Sequence, residues 1–230
     1  IARPHLDYND PDSIRTALAE VLDATGGTLD ALFNNGAYAI PGAVEDLPTD
    51  ALRTIFEANF FGWHELTRQV IPVMRAQGHG RIVQCSSVLG FIPMKWRGAY
   101  VASKYALEGL TDTLRMEMTD TPIRISLIEP GPITTRFRVN AALEFDRWID
   151  WKASVRADQY ERSLLGRLKS ATEGKDPFEL PPSAVTKRLI HALEAARPKA
   201  RYFVTVPTWG ASVLSRILPT KALDWIVGKG

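Results

Sequence analysis

The sequence predicts an α/β protein with a parallel sheet and helices on both faces of that sheet. Short apolar runs bounded by turn residues alternate with helix-length amphipathic segments, which is the pattern of βαβ units. The runs are almost continuously apolar, as expected of strands buried on both sides. With 230 residues, of which 45% are hydrophobic, the chain can bury one substantial core. We therefore expect residues 1–230 to form a single doubly wound domain.

Five segments bounded by turn residues are predicted as strands, and the second, third and fourth of them contain short, mostly apolar runs. They cover residues 3–8, 29–34, 80–86, 123–129 and 201–206. Parallel strands in such a sheet are joined by right-handed crossovers, and ligands bind outside the carboxyl ends of the strands. The residues that follow each predicted strand are therefore candidates for a binding site.

Four longer segments are predicted as helices from the spacing of their apolar residues and from the signals at their ends. The first begins at Asp10-Pro11, a favourable cap followed by proline, and ends at Gly26-Gly27. The others cover about residues 48–78, 98–118 and 181–198. Helices of this length between the predicted strands complete the βαβ pattern.

Residues 132–180 are a long insertion between a predicted strand and the last predicted helix. Its aromatic residues are interleaved with arginines: Phe137, Phe145, Trp148, Trp151 and Tyr160. Long insertions at the carboxyl edge of a sheet are often functional, so we expect a lid or a wall of a substrate pocket. The alternative is a pair of helices whose aromatic side chains pack on the core.

Residues 208–230 are a C-terminal amphipathic extension. Its apolar residues lie in Val213–Val227, and Arg216, Lys221 and Lys229 supply positive charge. Such a segment can lie on a membrane surface. Packing on the insertion or on a partner subunit is the preferred alternative, so we expect no membrane contact.

The composition excludes several classes of protein. Lys and Arg number 28 against 26 acidic residues, and they are scattered, so no nucleic-acid partner is expected. The single cysteine, Cys85, excludes an intrachain disulfide. The four histidines lack metal-ligand spacing, so we expect no metal site. No signal peptide or membrane span is recognisable, so a cytoplasmic location is expected.

Tyr100 and Lys104 form a pair that suits acid–base chemistry. Residues four apart on a helix share one face, and a neighbouring ammonium lowers the pKa of a phenol. The pair can therefore exchange a proton with a carbonyl or an alcohol. Ser87, at the end of a predicted strand, is able to hold the substrate oxygen near the tyrosine. Asn59 lies inside a predicted helix, where asparagine is unfavourable, so we expect it to make a structural or catalytic hydrogen bond.

Five motifs occur along the chain in a distinctive order. They are Asn34-Asn35-Gly36-Ala37, Asn59, Ser86-Ser87-Val88-Leu89-Gly90, Tyr100 with Lys104, and Pro130-Gly131-Pro132-Ile133-Thr134-Thr135. In this order and spacing, the chain resembles the short-chain dehydrogenase/reductase family from about residue 3 to residue 206. The resemblance implies a Rossmann-type sheet and an NAD(P)-dependent oxidoreductase that interconverts an alcohol and a carbonyl group.

The resemblance also implies a role for each matching residue. Tyr100 is expected to donate and accept the proton at the substrate oxygen, and Ser87 to orient that oxygen. Lys104 is expected to lower the pKa of Tyr100 and to hold the nicotinamide ribose, and Asn59 to keep a water in a proton relay. The expected cofactor-binding residues are Asp7, Tyr8, Asn34, Asn35, Gly36, Tyr100, Lys104, Pro130, Gly131, Ile133 and Thr135.

The implied partners follow from the same resemblance and from the apolar insertion. The cofactor is NAD(P)(H), with NADP slightly preferred, and the substrate is a small hydrophobic alcohol or ketone. A homodimer or homotetramer is expected through the helices near 50–77 and 98–118. Their candidate interface residues are Phe60, Phe61, Trp63, Leu107, Leu110 and Leu114.

The chain departs from the family pattern in two places. Asn34-Asn35-Gly36-Ala37 exchanges the last two residues of the usual Asn-Asn-Ala-Gly motif, which keeps both positions small. More importantly, the sequence has no Gly-rich turn for a pyrophosphate, and its first predicted strand matches the third strand of the family. The first two βα units are thus absent from the sequence. Either the sequence is a fragment of a longer chain, which we favour, or the protein is a non-catalytic binding scaffold that has lost the phosphate loop.

Overall fold

The structure, a computed structural model, describes residues 3–169 and 178–228. Within these residues, four parallel strands form one sheet in the order β1-β2-β3-β4. They are β1 (Ala31–Asn34), β2 (Gly80–Cys85), β3 (Ile123–Glu129) and β4 (Arg201–Phe203). The sheet is parallel throughout, which confirms the predicted α/β class.

Helices connect the strands and extend beyond the last strand. They are α1 (Pro11–Ala24), α2 (Thr49–Phe56), α3 (Gly62–Gln77), α4 (Gly98–Glu117), α5 (Phe137–Trp148), α6 (Ala157–Gln159), α7 (Leu165–Lys169), α8 (Ser183–Glu194), α9 (Val206–Ile217) and α10 (Thr220–Val227). Short 3₁₀ segments cover Val44–Asp46, Val88–Gly90 and Met118–Asp120, and π-helical segments cover Glu57–Phe61 and Tyr160–Leu164. The connecting helices α3, α4 and α8 make the crossovers of a doubly wound fold.

The ends of the helices follow the signals in the sequence. At the start of α1, the Asp10 carboxylate accepts a hydrogen bond from the Asp12 backbone N–H at 2.9 Å, and Pro11 occupies the first turn. At the end of α3, Gly78 adopts a left-handed conformation with φ of 78°, which a residue without Cβ tolerates best. These caps explain why the predicted helix limits agree closely with the observed ones.

Apolar side chains cover both faces of the sheet. On one face, Ile82 and Ile125 pack with Ile14, Val70 and Met74 of α1 and α3. On the other face, Val83, Ile128, Ala192 and Tyr202 form a separate buried cluster under α8. Burial on both faces explains why apolar residues predominate in the strands and do not simply alternate with polar ones.

The first predicted strand is wrong. Residues 3–8 form no strand, and within the described part of the chain no backbone pairs with them. A strand exists only through hydrogen bonds to a neighbouring strand, so a segment without a partner strand remains irregular. The last strand is also shorter than predicted, because Thr205 caps α9 and Val206 already belongs to that helix.

A third cluster of apolar side chains lies at the carboxyl end of the sheet. Phe145, Ile149 and Tyr160 of the insertion are buried there together with Tyr100 and Ile92. The insertion therefore contributes aromatic side chains to this cluster, and its role as a lid or pocket wall stays a prediction. Residues 170–177 of the insertion and 229–230 of the C-terminal extension lie outside the described residues. The extension is two helices, α9 and α10, separated at Pro219.

Candidate active site

The candidate catalytic side chains meet at the carboxyl ends of β2 and β3. Helix α4 lies against β3 and carries Tyr100 and Lys104 in its first two turns. The Nζ atom of Lys104 donates a hydrogen bond to the carbonyl of Cys85, the last residue of β2, at 2.9 Å. Ser87 follows two residues after the end of that strand. The fold thus brings together the three residues that the sequence predicted.

Lys104 is a buried cation. It is only 1% exposed, and its Nζ atom lies 4.2 Å from the centre of the Trp63 ring and 5.7 Å from that of Tyr100. Burial lowers the pKa of Lys104 to about 8, partly opposed by Cys85 and by the carboxylate of Glu108. Lys104 is therefore mostly protonated at neutral pH but loses its proton at mildly alkaline pH.

Tyr100 is enclosed as well. Its side chain is mostly buried, and the Phe137 ring of the insertion packs edge-on against it at 5.2 Å between ring centres. Burial raises the pKa of the Tyr100 phenol above its ordinary value, and the nearby Cys85 acts in the same direction. A side-chain hydrogen bond with Ser87 opposes this rise in the pKa. The phenol is thus protonated at neutral pH.

Ser87 has a local role in addition to its contact with Tyr100. It caps the 3₁₀ segment Val88–Gly90, and its Oγ atom accepts a hydrogen bond from the Leu89 N–H at 3.1 Å. The Val88 N–H donates to the Pro130 carbonyl at 2.8 Å, which joins the loop after β2 to the loop after β3. Ser87 is therefore fixed in place by backbone contacts on both sides of the site.

Asn59 lies in the π-helical segment between α2 and α3 and is fully buried. Its Oδ1 atom accepts from the Tyr38 N–H at 3.1 Å, and its Nδ2 atom donates to the Tyr38 carbonyl at 2.8 Å. Nδ2 also lies 3.3 Å from the Ser103 hydroxyl, which donates to the carbonyl of Tyr100. The expected structural hydrogen bond is thus present, whereas the water relay stays a prediction.

Asn34 lies beneath the site instead of lining it. It is fully buried at the end of β1, and its Nδ2 atom donates to Thr67 at 3.1 Å and to Gln84 at 3.0 Å. These contacts tie β1 to β2 and to α3. Asn35 and Gly36 follow at the same edge and are exposed, so they are accessible to a ligand.

The residues after β3 lie at the same edge of the sheet as Ser87. Gly131 is packed so closely that a Cβ atom there would lie 2.2 Å from the Thr205 hydroxyl. Ile133 pairs with Leu180, and the backbone of Thr135 continues into α5. Small size at Gly131 is therefore a packing requirement of the α9 cap.

Asp7 and Tyr8 lie in the irregular segment before α1. Asp7 is exposed, and Asn9 hydrogen bonds lower the pKa of its carboxyl. The ring of Tyr8 packs beside Trp63 with 6.2 Å between ring centres, and its hydroxyl reaches Asn34 at 3.5 Å. Both residues were expected at the end of a strand, and no strand is present there because residues 3–8 have no pairing partner.

The comparison with known families agrees with this geometry. The profile described as short chain dehydrogenase matches residues 3–144. This chain belongs to the short-chain dehydrogenase family. The match spans β1 to β3 and includes Asn59, Ser87, Tyr100 and Lys104.

Individual relatives cover most or part of the chain. The uncharacterized oxidoreductase YbbO of Escherichia coli (strain K12) is 39% identical over 222 residues, which are 96% of this chain and 76% of that protein. Retinol dehydrogenase 8 of Homo sapiens is 38% identical over 121 residues, 53% of this chain and 39% of that protein. A short chain dehydrogenase from Burkholderia cenocepacia J2315, solved with NADP, has a TM-score of 0.71 at 17% identity and covers 98% of this chain and 80% of that one. This last likeness shows the fold.

The described residues of this short-chain dehydrogenase fit one end of a dinucleotide. Among them, Lys104 Nζ has one hydrogen-bond acceptor, the Cys85 carbonyl, whereas an ammonium can donate three hydrogen bonds. Donors remain for hydroxyl groups of a ribose. The N-terminal turns of α1 and α2 instead carry Asp12 and Asp50, whose negative charge opposes a phosphate.

A buried charge cluster behind the site was not predicted from the sequence. Arg201, the first residue of β4, contacts the carboxylates of Glu108, Asp112 and Glu129. These residues are 93 positions apart at most in the chain but meet where α4, β3 and β4 adjoin. No spacing rule links a strand residue to a helix residue at that separation, so the cluster has no local signature.

Two of the expected interface residues belong to the core. Trp63 is fully buried, and its indole N–H donates to the Gly36 carbonyl at 3.0 Å. Leu107 is 2% exposed on the sheet side of α4. The helical positions are apolar because they pack inward, whereas Phe61 and Leu110 are exposed. Within the described residues, no helix has both the length and the apolar character needed to cross a membrane.

Proposed function

We propose that this protein is an NAD(P)-dependent oxidoreductase that interconverts an alcohol and a carbonyl group on a hydrophobic substrate. The observation that carries the proposal is the buried arrangement of Tyr100, Lys104 and Ser87 around one point. Each of these side chains is at most 9% exposed, and they sit at the carboxyl edge of a parallel sheet, where ligands of such sheets bind. Membership of the short-chain dehydrogenase family supports the same chemistry.

Tyr100 transfers the proton in this mechanism. In the reducing direction, its phenol gives a proton to the substrate oxygen, and in the oxidising direction, the phenolate takes that proton back. Burial alone opposes the phenolate, because it raises the pKa of the phenol. The ammonium of Lys104, with its Nζ atom 5.7 Å from the Tyr100 ring centre, offsets the negative charge as it develops.

Ser87 fixes the substrate oxygen next to that proton. The Ser87 hydroxyl is close enough to the Tyr100 phenol to lower its pKa, so an oxygen placed beside both groups can bond with both. The loop that carries Ser87 is tied to Pro130, which limits its movement. Such a fixed arrangement places the reacting atoms without a further cost in conformational entropy.

In this proposal, the nicotinamide cofactor binds along the carboxyl edge of the sheet. Lys104 supplies donors for the ribose, and Pro130, Gly131, Ile133 and Thr135 line the edge after β3, opposite Asn35 and Gly36 after β1. When bound, NAD(P) supplies or accepts the hydride. The NADP in the Burkholderia cenocepacia structure supports a nicotinamide cofactor. The preference for NADP over NAD is part of our proposal.

Apolar side chains beside Tyr100 favour a hydrophobic substrate. Phe137 contacts its ring, and Leu89, Ile92 and Trp96 belong to the apolar cluster around it. Such a wall has few groups able to bond a sugar or an acid. The partial likeness to a retinol dehydrogenase points to the same class of substrate. We propose that the insertion 132–180 is the lid of this pocket.

Substitution of the proton donor tests this function. In the full-length protein, we expect Tyr100→Phe to reduce kcat with NADPH and a series of hydrophobic aldehydes and ketones by about a hundredfold or more. Tyr105→Phe is the matched control, because Tyr105 lies on the same helix but is exposed. It is expected to keep wild-type activity. Turnover is followed by the loss of NADPH or NADH absorbance.

Binding of the cofactor, measured by NADPH fluorescence, separates catalysis from scaffold function. Tyr100→Phe is expected to bind NADPH while it fails to turn over. A wild-type protein that binds neither NADPH nor NADH would overturn the proposal and leave the non-catalytic scaffold. Full activity of the Tyr100→Phe variant would exclude Tyr100 as the proton donor.

A further inference from the structure

Directly behind the catalytic side chains lies a cluster of charges that the proposed mechanism does not use. The Nη1 atom of Arg201 donates to Oε2 of Glu108 and to Oε1 of Glu129, and its Nη2 atom donates to Asp112 at 2.6 Å. Glu108 lies one helical turn after Lys104 on α4, and Glu129 ends β3 immediately before Pro130. The cluster thus connects α4, β3 and β4 under the active site.

The two glutamates are deeply buried and incompletely bonded. Glu129 is 0% exposed and Glu108 is 6% exposed. Within the described residues, Oε1 of Glu108 and Oε2 of Glu129 have no hydrogen-bond partner. Because one nitrogen of Arg201 contacts both carboxylates, the two groups are held close together. An ionised carboxylate with an unbonded buried oxygen is strongly disfavoured, and two side by side are more so.

The unbonded carboxylate oxygens identify what is missing from this cluster. The charged groups that face the two glutamates are Arg201 from β4 and Lys104 and Asp112 from α4. The Cys85 thiol of β2 faces Lys104. Asp112 is itself paired with Arg115 at 2.6 Å. With Arg115 included, the cluster has three cations and three carboxylates, but Arg115 and Asp112 form a half-exposed pair at its edge. Without that pair, the buried interior contains two glutamates beside Arg201 and Lys104. The two ionised carboxylates would still each have a buried oxygen with no hydrogen-bond donor among the described residues, and a shared proton supplies one.

We propose that Glu108 and Glu129 share one proton over the guanidinium of Arg201, and that this acid pair is a positioning group which keeps Lys104 charged beside Tyr100. The catalytic part of the inference rests on the proposed function. Glu108 contributes a partial negative charge one turn from Lys104, which favours the ammonium. Glu129 carries the remainder of the pair's single negative charge, farther from the catalytic centre. The pair therefore stabilises the cation without placing a second full negative charge in the interior.

The electrostatics of the individual groups agree with this geometry. Burial and the charge of Glu108 raise the pKa of Glu129 to about 8, against the effect of Arg201. Burial also raises the pKa of Glu108, and Ser86 and Arg201 oppose that rise. The negative charge of Glu108 in turn raises the pKa of Lys104. One proton on the pair is the state in which all these effects are compatible near neutral pH.

The proton can be counted without any enzymatic assay. Between pH 5.5 and 7.5, the folded protein would hold one proton at the pair that the unfolded chain has lost, since a free Glu titrates at about 4.3. The folding equilibrium constant of the wild type is therefore expected to fall with rising pH, relative to Glu129→Gln, by up to about tenfold per pH unit. Urea unfolding at several pH values measures both proteins.

Two further variants sharpen this measurement. Glu108→Gln removes the same shared proton and is expected to give the same difference in slope. Glu117→Gln is the matched control, because Glu117 lies on the same helix and is exposed. It is expected to follow the wild type at every pH. If the folding equilibrium constant changes with pH in the same way for the wild type and for both buried Gln variants, the proposal of a shared proton is wrong. This conclusion holds whether or not the protein is an enzyme.

The positioning role is tested by the alkaline limb of the kcat/KM profile, where Lys104 loses its proton. Glu108→Gln leaves the charge on the more distant Glu129, so the limb is expected to move to lower pH by about half a unit or more. Glu129→Gln leaves a full charge on Glu108, so the limb is expected to move to higher pH. A loss of kcat in both variants with an unchanged limb would reduce the pair to a structural role and overturn its action on Lys104.

Discussion

Lys104 is a charged side chain in a place from which the protein excludes water. The same burial destabilises the charged side chain and strengthens its effect on Tyr100. It lowers the pKa of Lys104 to about 8, and it also strengthens the electrostatic interaction of the ammonium with Tyr100. The Trp63 ring, whose centre lies 4.2 Å from Nζ, stabilises the ammonium through a cation–π contact. This contact offsets part of the stabilisation that the ammonium loses when water is removed. Catalytic residues of this kind reduce stability for the sake of activity.

We expect Lys104→Met to be more stable than the wild type at pH 7 while it loses turnover. The pKa of Lys104 is lowered from 10.5 to about 8, and each unit corresponds to about 1.4 kcal/mol. Loss of the hydrogen bond to Cys85 offsets about 1 kcal/mol, so the free energy of unfolding is expected to rise by about 2 kcal/mol. Urea unfolding at pH 7 measures this change.

The increase in the free energy of unfolding caused by Lys104→Met is expected to depend on pH. Between pH 8 and 10.5, the unfolded chain holds a proton at Lys104 that the folded protein has released, so the wild type gains stability as pH rises. The advantage of Lys104→Met is therefore expected to be mostly gone at pH 9.5. Lys187→Met, at an exposed position of α8, should change stability by less than about 0.5 kcal/mol. A Lys104→Met variant that is less stable at both pH values contradicts the account.

At this scale, the sequence identifies residues whose partners are near in the chain. Tyr100 and Lys104 are recognisable because helical spacing fixes their common face. Glu129 and Arg201 are not, because their contact depends on the pairing of β3 with β4. Asn34 shows a third case, since its motif is visible but its side chain points into a network with Thr67 and Gln84.

Among the helices, the junction of α2 and α3 has the most unusual construction. A π-helical segment separates the two helices and buries Asn59, and Gly62 begins α3 directly after it. Such insertions of one residue are frequent at functional sites because they redirect side chains. Here the next residue, Trp63, is turned under Lys104.

Gly62 permits the segment around Tyr8 to lie against this junction, and a substitution pair tests that role. A Cβ atom at Gly62 would lie 2.3 Å from the Tyr8 carbonyl oxygen, which belongs to the backbone and cannot rotate away. We expect Gly62→Ala to lower the free energy of unfolding by about 1–3 kcal/mol. Gly109→Ala in α4 meets no atom within 4 Å and is expected to raise it by about 0.5–1 kcal/mol. Thermal unfolding distinguishes the two, and equal effects would refute the close contact.

The elements themselves were predictable where a local pattern coincides with tertiary pairing. β1, β2 and β3 lie within their predicted ranges because each apolar run has a neighbouring strand. The segment at residues 3–8 is mostly polar and has no partner strand in the described chain. The local sequence indicates whether a segment tends to form a strand. Whether a neighbouring strand is available to pair with it depends on the whole sheet.

At the scale of the whole molecule, the insertion is attached to the loop before α2 by one buried hydroxyl. The Tyr160 hydroxyl donates to Oδ2 of Asp46 and accepts from the Ala43 N–H, each at 2.8 Å. Ser154 donates to the same carboxylate at 2.7 Å. Tyr160 is 0% exposed, and its ring also packs against Trp96 at 4.8 Å between ring centres. The insertion and the loop are thereby coupled across more than a hundred residues of chain.

We expect Tyr160→Phe to weaken this attachment and, with it, the pocket wall beside Tyr100. The substitution leaves the Ala43 N–H and one carboxylate contact without a partner, which lowers the free energy of unfolding by about 1–3 kcal/mol. If the insertion is the substrate lid, KM for bulky hydrophobic substrates rises more than kcat falls, because the acid–base residues stay in place. Steady-state kinetics and urea unfolding measure the two effects.

A double-mutant cycle with Asp46→Asn decides whether the hydroxyl acts through that carboxylate. Side chains that share a buried hydrogen bond are expected to show a coupling energy of about 0.5–3 kcal/mol. Arg156→Gln is the control, because Arg156 contacts Glu45 in a half-exposed ion pair, and such pairs contribute less than about 1 kcal/mol. Additive losses for Tyr160→Phe and Asp46→Asn would show that the two residues act separately. The insertion would then be held by the packing of its aromatic side chains, and Tyr160→Phe would leave KM unchanged.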